Sequence, residues 1–156
     1  MKNIIILLFC FFLIISCEKK PESTLNTKAS LQQNDELKEN PLLMKPITSS
    51  IQPKDSTMST LYGNDIAFDY AKSHPDAYYP ENTVLYEVTW KQKPDEVWFG
   101  GNIPKDIYSV EKVSFTNSGS LYEKYEGKPL RLIAANNSED ALRKAVIINQ
   151  RMAVSP

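Results

Sequence analysis

The sequence predicts an α+β domain, with an antiparallel β-sheet of about five strands and flanking helices. The main observation is the stretch 80–101, where polar and apolar residues alternate along 84–91, stop at Pro94 and Asp95, and resume at 97–99. Alternation of period two is typical of a half-buried strand, and a break of this kind predicts a hairpin. Amphipathic helical patterns before and after the strands complete the prediction.

The first strand of this hairpin has one apolar face. That face is formed by Val84, Tyr86, Val88 and Trp90. We predict that the helices pack on it and that Trp90 is a core residue, because aromatic side chains at strand spacing are more often buried than part of a site. Trp98 follows the break and precedes Phe99 and two glycines, which allow backbone or ligand to approach closely.

The N-terminus has the features of a secretion signal. Residues 1–3 are a short basic start, and residues 4–15 are an apolar run of about twelve residues, too short to span a bilayer comfortably. The run ends in Leu-Ile-Ile-Ser-Cys at 13–17, which resembles a bacterial lipobox. That resemblance implies diacylglyceryl transfer to the Cys17 thiol, cleavage of the signal peptide 1–16, and acylation of the new amine. An ordinary secretory peptide and an uncleaved anchor are the alternatives.

Lipidation at Cys17 would place the chain in the bacterial cell envelope, on the periplasmic or outer-surface face of a membrane. Because Cys10 leaves with the signal peptide, the mature chain would keep no free thiol. Thiolate metal sites and thiol catalysis are therefore excluded. The net charge of −1 provides no basic surface for nucleic acid, so the expected partner is the membrane.

From residue 18 to about residue 57 the sequence has no sustained hydrophobic period. Prolines interrupt it repeatedly, and most of the other residues are polar. Such a segment does not bury enough apolar area to offset the entropy of ordering it. We therefore predict a lipidated N-terminus and disordered tether over 17–57, followed by the folded domain over 58–156.

The folded part begins with a helix. Asn64 is a suitable N-cap for a helix that runs to about Ser73, where His74 and Pro75 end it. Further strands are predicted over 107–115, 121–126 and 129–133. Ser138 is the predicted cap of a last helix. The inward stripe of that helix is predicted as Ala141, Leu142, Ala145, Ile148, Asn149 and Met152.

Several short motifs follow one another along roughly 58–127. They are Gly63-Asn64-Asp65-Ile66-Ala67, Pro80 with Thr83-Val84-Leu85, Thr89-Trp90, Trp98-Phe99-Gly100, Ser109-Val110-Glu111 and Tyr122-Glu123-Lys124-Tyr125-Glu126-Gly127. In this order they resemble the cytochrome P-460 domain, and most closely a lipoprotein branch of that family from Bacteroidota-like bacteria. The resemblance implies a mostly antiparallel β domain, often a homodimer, that holds a c-type haem. Its best-known members oxidise hydroxylamine and nitric oxide, and related members bind diatomic gases.

The haem of that family is attached through Cys-x-x-Cys-His near the C-terminus, with the histidine as axial ligand. This chain has neither cysteine nor histidine beyond Gly127. Covalent attachment is therefore impossible here, and the family's cross-link from lysine to haem cannot be assigned to a particular lysine. We expect no cofactor, with non-covalently bound haem as the alternative. Its axial ligand would be His74, Met152 or a tyrosine.

The residues expected to line a pocket that remains from the haem site are Trp98, Phe99, Tyr122 and Tyr125. Their alternative role is in the core. His74 is the only histidine and lies at a helix end, where capping is its expected role. Asp65 and Asp69 lie about one helical turn apart, but two carboxylates without further oxygen ligands make a poor cation site. No catalytic residue and no metal site is predicted.

These observations favour a membrane-anchored envelope lipoprotein whose cytochrome P-460-like domain is a non-catalytic binding or interaction module. The alternative from a different class is a redox enzyme or gas sensor that uses non-covalently bound haem. A purely structural envelope protein is a third interpretation. The sequence does not identify the ligand.

Overall fold

The computed structural model describes residues 26–74, 76 and 78–153. The predicted signal peptide 1–16 and the lipidation site Cys17 lie outside these described residues. The elements of the described chain are β1 (Lys45–Gln52), β2 (Thr57–Gly63), α1 (Asp65–Ser73), β3 (Val84–Pro94), β4 (Asn102–Thr116), β5 (Gly119–Glu126), β6 (Arg131–Leu132) and α2 (Asn137–Ile148). Short 3-10 turns at Thr27–Ala29 and Pro41–Leu43 precede β1.

The strands form an antiparallel sheet in the order β1-β2-β3-β4-β5-β6, so that each strand pairs with its neighbours along the chain. α1 connects β2 to β3, and α2 follows β6. The predicted α+β class and the antiparallel sheet are confirmed, with six strands in the described residues, one more than predicted. In the part of the chain described here, no helix is both long and apolar enough to cross a membrane.

Two strands, β1 and β2, were not predicted. β1 lies in the segment predicted to be a disordered tether. It pairs with β2 along its whole length, and Ile47 is buried in the core beside Ala67. The hydroxyl oxygens of Ser50 and Ser59 lie 2.9 Å apart across this ladder. An edge strand needs few apolar residues, because ladder hydrogen bonds and cross-strand polar pairs stabilise it. This corrects the tether predicted over 17–57, since the described chain belongs to the folded domain from Asn26 onward.

One face of the sheet, the apolar face, is covered by the segment 26–44. Tyr86, Val88 and Trp90 of β3 form its centre, which confirms the predicted stripe and the core position of Trp90. The cover is formed by Ala29, Leu31, Leu37, Leu42 and Met44. The indole Nε1 of Trp90 donates a hydrogen bond of 2.9 Å to the carbonyl oxygen of Ala29. The prediction that helices cover this stripe is wrong, because irregularly spaced apolar residues of the N-terminal segment cover it instead.

The helices pack on the opposite face, called here the helix face. Its core is formed by Ile47, Leu61, Ala67, Tyr79, Leu85, Val113 and Ile147. The predicted cap of α1 is confirmed, because Oδ1 of Asn64 accepts a hydrogen bond of 3.0 Å from the Ala67 amide. His74 ends α1, also as predicted, and its amide donates to the carbonyl oxygen of Tyr70.

α2 differs from its prediction in two respects. The residue before its first turn is Asn136, and Ser138 lies inside the helix instead of capping it. Its inward side chains are those of Arg143 and Ile147, with Ile148 packed against the core as predicted, whereas Leu142 is 71% exposed. The helix is therefore rotated relative to the predicted stripe, because the sheet beneath it carries buried charge that Arg143 neutralises.

β3 and β4 continue beyond the rest of the sheet as a two-stranded arm (residues 92–104). β2 pairs with β3 only as far as Lys91, and β5 pairs with β4 only from Ser109 onward. The pairing of 92–94 with 102–104 therefore lies outside the neighbouring strands. A hairpin is present, as predicted, but residues 97–99 are not its second strand. They lie in the loop at the end of the projecting arm, and the second strand begins at Asn102.

Candidate functional site

The helix face of the sheet changes from apolar to polar along the central strands. On β3 the residues of this face are Leu85, Glu87, Thr89 and Lys91. Their partners on β4 are Val113, Glu111 and Ser109. The apolar ends contribute to the core, and the polar ends lie beside Arg143 of α2. A polar site is thus built into one half of this face.

Glu87 and Glu111 are the centre of that site. Their side chains are buried, with exposed fractions of 4% and 3%, and their backbones lie directly opposite each other in the β3–β4 ladder. Like charges in opposite positions destabilise a sheet, and burial of an unpaired carboxylate carries a large desolvation cost. The pair therefore requires a cation and further hydrogen-bond donors nearby.

Arg143 supplies the cation from α2. Its Nη2 lies 2.6 Å from Oε2 of Glu87 and 2.7 Å from Oε2 of Glu111, and its Nε donates to Oε1 of Glu111 at 2.9 Å. The guanidinium binds Glu111 through two nitrogens and reaches Glu87 with one of them. Such charge-assisted bonds from a planar guanidinium fix both distance and orientation. Arg143 thereby fastens α2 to the two central strands.

The carboxylate oxygens also have donors other than Arg143. Oε1 of Glu87 accepts hydrogen bonds of 3.0 Å from Oγ of Ser59 and from Nε2 of Gln150. Oε1 of Glu111 accepts a second bond, of 2.5 Å, from the hydroxyl of Tyr122. Every oxygen of the two buried carboxylates is therefore hydrogen-bonded. We call this group the Glu–Arg–Glu network (Ser59, Glu87, Glu111, Tyr122, Arg143 and Gln150).

The network is held in its charged form. Burial alone would raise the pKa of Glu111, but the hydrogen bonds from Arg143 and Tyr122 outweigh it and lower that pKa below its usual range. Hydrogen bonding to Glu111 raises the pKa of Arg143 despite burial. Burial, followed by the bond to Glu111, raises the pKa of Tyr122. Near neutral pH, Glu111 is therefore an acceptor, and Arg143 and Tyr122 are donors.

A polar cleft of about 420 Å³ opens beside this network. Its lining residues are Gln52, Asp55, Thr57, Ser59, Glu87, Thr89, Lys91, Tyr108, Ser109, Glu111, Lys124 and Arg143. A β-bulge in β4 places Tyr108 here, because the register shifts between the pairs Thr89↔Ser109 and Trp90↔Ile107. The ammonium of Lys91 lies 4.1 Å from the centre of the Tyr108 ring. Hydroxyl groups form the floor of the cleft, and charged groups form its walls.

A second cleft of about 550 Å³ lies between the segment 26–44 and the turn after β5. Its polar groups serve local packing: Oδ1 of Asp35 accepts from the Leu130 amide at 2.8 Å, and Lys128 pairs with Asp106. It contains no buried charged pair. The polar cleft is therefore the better candidate for a ligand site, although it is the smaller of the two.

The structure does not bring the predicted pocket residues together. Trp98 and Phe99 lie at the tip of the hairpin arm, where Trp98 is 73% exposed and Phe99 is fully exposed. Tyr122 belongs to the Glu–Arg–Glu network, and Tyr125 is buried on the apolar face. None of these four residues lines the polar cleft.

The predicted haem-ligand candidates lie elsewhere as well. The ring of His74 stacks on Tyr70 with 4.2 Å between centroids, at the exposed end of α1. Met152 packs against the core of the helix face. The described residues that line the polar cleft include no histidine, methionine or cysteine, although Tyr108 supplies a phenol oxygen. The donor set therefore does not fit a haem held by His74 or Met152, and the polar lining differs from the apolar lining that most large planar ligands require.

Sequence reasoning missed Glu87, Glu111 and Arg143. Glu87 lies on the strand face opposite the predicted apolar stripe, and that face is covered by α2. A detectable signal was present: one glutamate lies in the middle of each of two successive strands, Glu87 between two apolar residues and Glu111 between Val110 and Lys112. In an antiparallel pair, such residues become cross-strand neighbours that require a shared cation.

No protein-family model matches this sequence, and no curated protein is significantly similar to it. Within residues 26–74, 76 and 78–153, no cluster of three or more histidine, cysteine or acidic side chains is arranged to hold a metal ion. The geometry of the polar cleft is therefore the main basis for a functional interpretation.

Proposed function

We propose that this chain is a membrane-anchored envelope lipoprotein, acylated at Cys17, whose folded domain is a non-catalytic binding module. The ligand is a small hydrophilic solute held in the polar cleft. The observation that carries this proposal is the Glu–Arg–Glu network, which forms a rigid charged wall beside a floor of hydroxyl groups. The likeness to the cytochrome P-460 domain, without its haem-attachment motif, also supports a binding role.

Binding is favoured over catalysis because the reactive groups of the cleft are already engaged. Each oxygen of Glu87 and Glu111 accepts a hydrogen bond from the protein, and the lowered pKa of Glu111 makes it a weak base. The only histidine, His74, is stacked on Tyr70 away from the cleft, so it does not activate a hydroxyl there. A preorganised network of this kind can orient a ligand without reacting with it.

The lining also indicates the chemistry of the ligand. Thr57, Ser59, Thr89 and Ser109 place hydroxyl groups along the floor. Positive charge comes from Lys91, Lys124 and Arg143, and negative charge from Asp55 and the two glutamates. Mixed charges and many hydroxyls suit an uncharged or zwitterionic solute with several hydrogen-bonding groups, because such a ligand satisfies donors and acceptors together.

A ligand screen on the full chain tests this proposal, with small sugars, polyols and amino acids as probes and amide chemical shifts as the readout. Saturable shifts at Thr89 and Ser109 are expected for a true ligand. Ser109→Val should weaken that binding because it replaces a floor hydroxyl by a larger isopropyl side chain that forms no hydrogen bond. Ser114→Val is the matched control, since Ser114 lies on β4 but does not line the cleft. Shifts that are unaffected by Ser109→Val would contradict the proposed site.

The haem alternative has its own experiment. The full chain is titrated with haem, and the Soret absorbance is followed in the native protein and in His74→Ala. Weak, non-saturable absorbance is expected in both. A saturable Soret band that disappears in His74→Ala would instead favour the redox enzyme or gas sensor.

The anchor is tested by labelling with palmitate. The native chain should incorporate the label, and Cys17→Ser should not and should remain as uncleaved precursor. Incorporation of label into Cys17→Ser would contradict lipidation at this residue.

A further inference from the structure

The tip of the hairpin arm exposes three large apolar side chains in succession. Val97 is 85% exposed, Trp98 is 73% exposed and Phe99 is fully exposed. Single exposed apolar residues are common on proteins, but a contiguous group of this size usually marks an interaction surface. Tryptophan and phenylalanine are also the side chains that bind well at the boundary between water and lipid.

The loop that carries them turns its polar groups inward. Oδ1 of Asp95 accepts hydrogen bonds from the amides of Val97 (2.8 Å) and Trp98 (3.2 Å). The Asp95 amide donates to the carbonyl oxygen of Gly101, and the Gly101 amide donates to that of Trp98, both at 2.9 Å. Four amides and two carbonyl oxygens of the loop are thus hydrogen-bonded within the loop itself. Its outer surface can enter a less polar medium at a reduced desolvation cost.

The described chain begins beside this arm. The side-chain Nδ2 of Asn26 donates to the carbonyl oxygens of Pro104 and Lys105, at 2.8 and 2.7 Å. Pro104 lies three residues from Gly101 at the edge of the loop, a distance of about 10 Å along a strand. The start of the described chain is therefore fastened close to the apolar tip.

The number of residues between Cys17 and Asn26 limits where a lipid on Cys17 can lie. Nine peptide links span at most about 30 Å when fully extended. The opposite end of β4, at Thr116, lies twelve residues from Pro104, or about 40 Å along the strand. The extended link is therefore too short for Cys17 to reach the end of β4 at Thr116, whereas the arm lies well within its reach.

We propose that Val97, Trp98 and Phe99 are a second membrane contact, which inserts into the headgroup region of the same bilayer that holds the lipid on Cys17. This inference rests on the lipidation in the proposed function. Lys93 lies within the arm and Lys105 directly after it. Neither forms an ion pair with a residue described in the structure, which suits anionic headgroups. Glu96 is the acidic group of the loop that faces solvent.

A bilayer fits this tip better than a second copy of the chain does. A stable interface between two proteins usually buries about 800 Å² on each partner. Two aromatic side chains and one valine at the end of a two-stranded arm supply roughly 500 Å², since each large aromatic buries about 150–250 Å². The tip is small and convex, which suits shallow insertion into a membrane surface.

The test uses the full, lipidated chain reconstituted into vesicles of phosphatidylethanolamine and phosphatidylglycerol, with or without phosphatidylcholine brominated near the headgroup. The protein has two tryptophans, so emission of the native chain minus that of Trp98→Phe reports on Trp98 alone. We expect bromine to remove roughly half of the Trp98 emission, as for a ring about 5–10 Å deep in the interface. The buried Trp90, measured in Trp98→Phe, should lose little.

Matched variants make the result specific to the tip. Val97→Ser with Phe99→Ser should reduce the quenching of Trp98, whereas Leu142→Ser changes an exposed leucine on α2 and should not. Mass analysis of the same samples establishes whether Cys17 carries lipid, so a failure of the anchor is distinguished from a failure of the tip. Lipidated, vesicle-bound protein whose Trp98 is quenched by aqueous iodide but not by bromine would overturn the proposal. If protection of Trp98 from iodide increased with the amount of protein per vesicle and not with the amount of lipid, the tip would contact a second copy of the chain. That result would also overturn the proposal.

Discussion

The two faces of the sheet solve the same problem of burial in different ways. On the apolar face, Tyr86, Val88 and Trp90 are covered by an irregular segment. Two hydrogen bonds join them to it, from the Trp90 indole to the carbonyl oxygen of Ala29 and from the Tyr86 hydroxyl to Glu39. On the helix face, Ile147 of α2 contributes apolar contact, but Arg143 binds two buried carboxylates. The comparison teaches that apolar cover tolerates irregular backbone, whereas a charged interface requires one side chain at one position.

The two solutions respond differently to substitution. Apolar burial contributes about 25 cal/mol per Å² and is spread over many side chains, so one truncation removes only part of it. A buried ion pair contributes little net stability, but removal of one partner leaves an uncompensated charge.

Deletion of residues up to Met44 should have the largest effect. It would leave Tyr86, Val88 and Trp90 without their cover, and a domain with a total stability of about 5–15 kcal/mol does not tolerate such exposure. We expect a chain that begins at Lys45 to lose cooperative thermal unfolding. A chain that begins at Asn26 is the control and should unfold cooperatively. Cooperative unfolding of the shorter chain would show that the cover is not part of the core.

Arg143→Met should destabilise the domain by about 3–5 kcal/mol, because Glu87 and Glu111 would remain buried and opposed without a cation. Urea denaturation measures the change. Lys144→Met on the same helix is the control, with an expected change of about 0.5 kcal/mol or less, since Lys144 contacts only the carbonyl oxygen of Ser120. Adding Glu87→Gln and Glu111→Gln to Arg143→Met should restore part of the loss. No recovery in that triple variant would show that packing of Arg143 outweighs its charge.

Trp90→Ala should lower the free energy of unfolding by about 3–5 kcal/mol, as for other buried aromatic residues. The other apolar residues of this face remain in contact, so the face is only partly exposed. Trp98→Ala should change the free energy of unfolding by about 0.5 kcal/mol or less, because the side chain lies in solvent at the arm tip. The two variants are compared by denaturant titration. Equal losses would mean that the arm packs on the domain.

The smallest predicted effect is that of acid on the helix face. The pKa of Glu111 is lowered in the folded state, so Glu111 contributes stability above its unfolded pKa of about 4.3 and loses that contribution as pH falls through the lower folded value. Stability of the native chain should therefore fall as the pH is lowered below about 4. Glu111→Gln should have a flatter profile in this range, measured by thermal unfolding at several pH values. Identical profiles would contradict the role of Glu111.

Local features of the fold could be predicted from the sequence, whereas contacts between distant segments could not. The stripe from Val84 to Trp90 and the cap at Asn64 are local patterns, and both were predicted correctly. β1 was missed because an edge strand rich in serine and threonine has the composition of a linker. The cover over 26–44 was missed because its apolar residues have no regular spacing and become adjacent only on the folded sheet.

The candidate site was less predictable than the fold, for a physical reason. Glu87, Glu111 and Arg143 are far apart in sequence, and each alone resembles a solvated surface residue. Only the β3–β4 register and the rotation of α2 bring them within hydrogen-bonding distance. The tip residues Trp98 and Phe99 were singled out from the sequence, but the expected pocket around them is not what the structure shows.

The attachment of α2 has a consequence for the motions of the domain. Ile147 is buried, Ile148 is partly buried and Arg143 is the ionic contact, whereas Leu142 and Val146 remain exposed. A helix with so small an apolar interface opens at a lower free energy than the sheet, so its amide protons should exchange with solvent well before those of β3 and β4. Arg143 also forms part of the cleft wall, so a bound solute would stabilise α2 and slow that exchange. The exchange rate of α2 would then measure occupancy of the cleft, although Arg143 is its one residue in the lining.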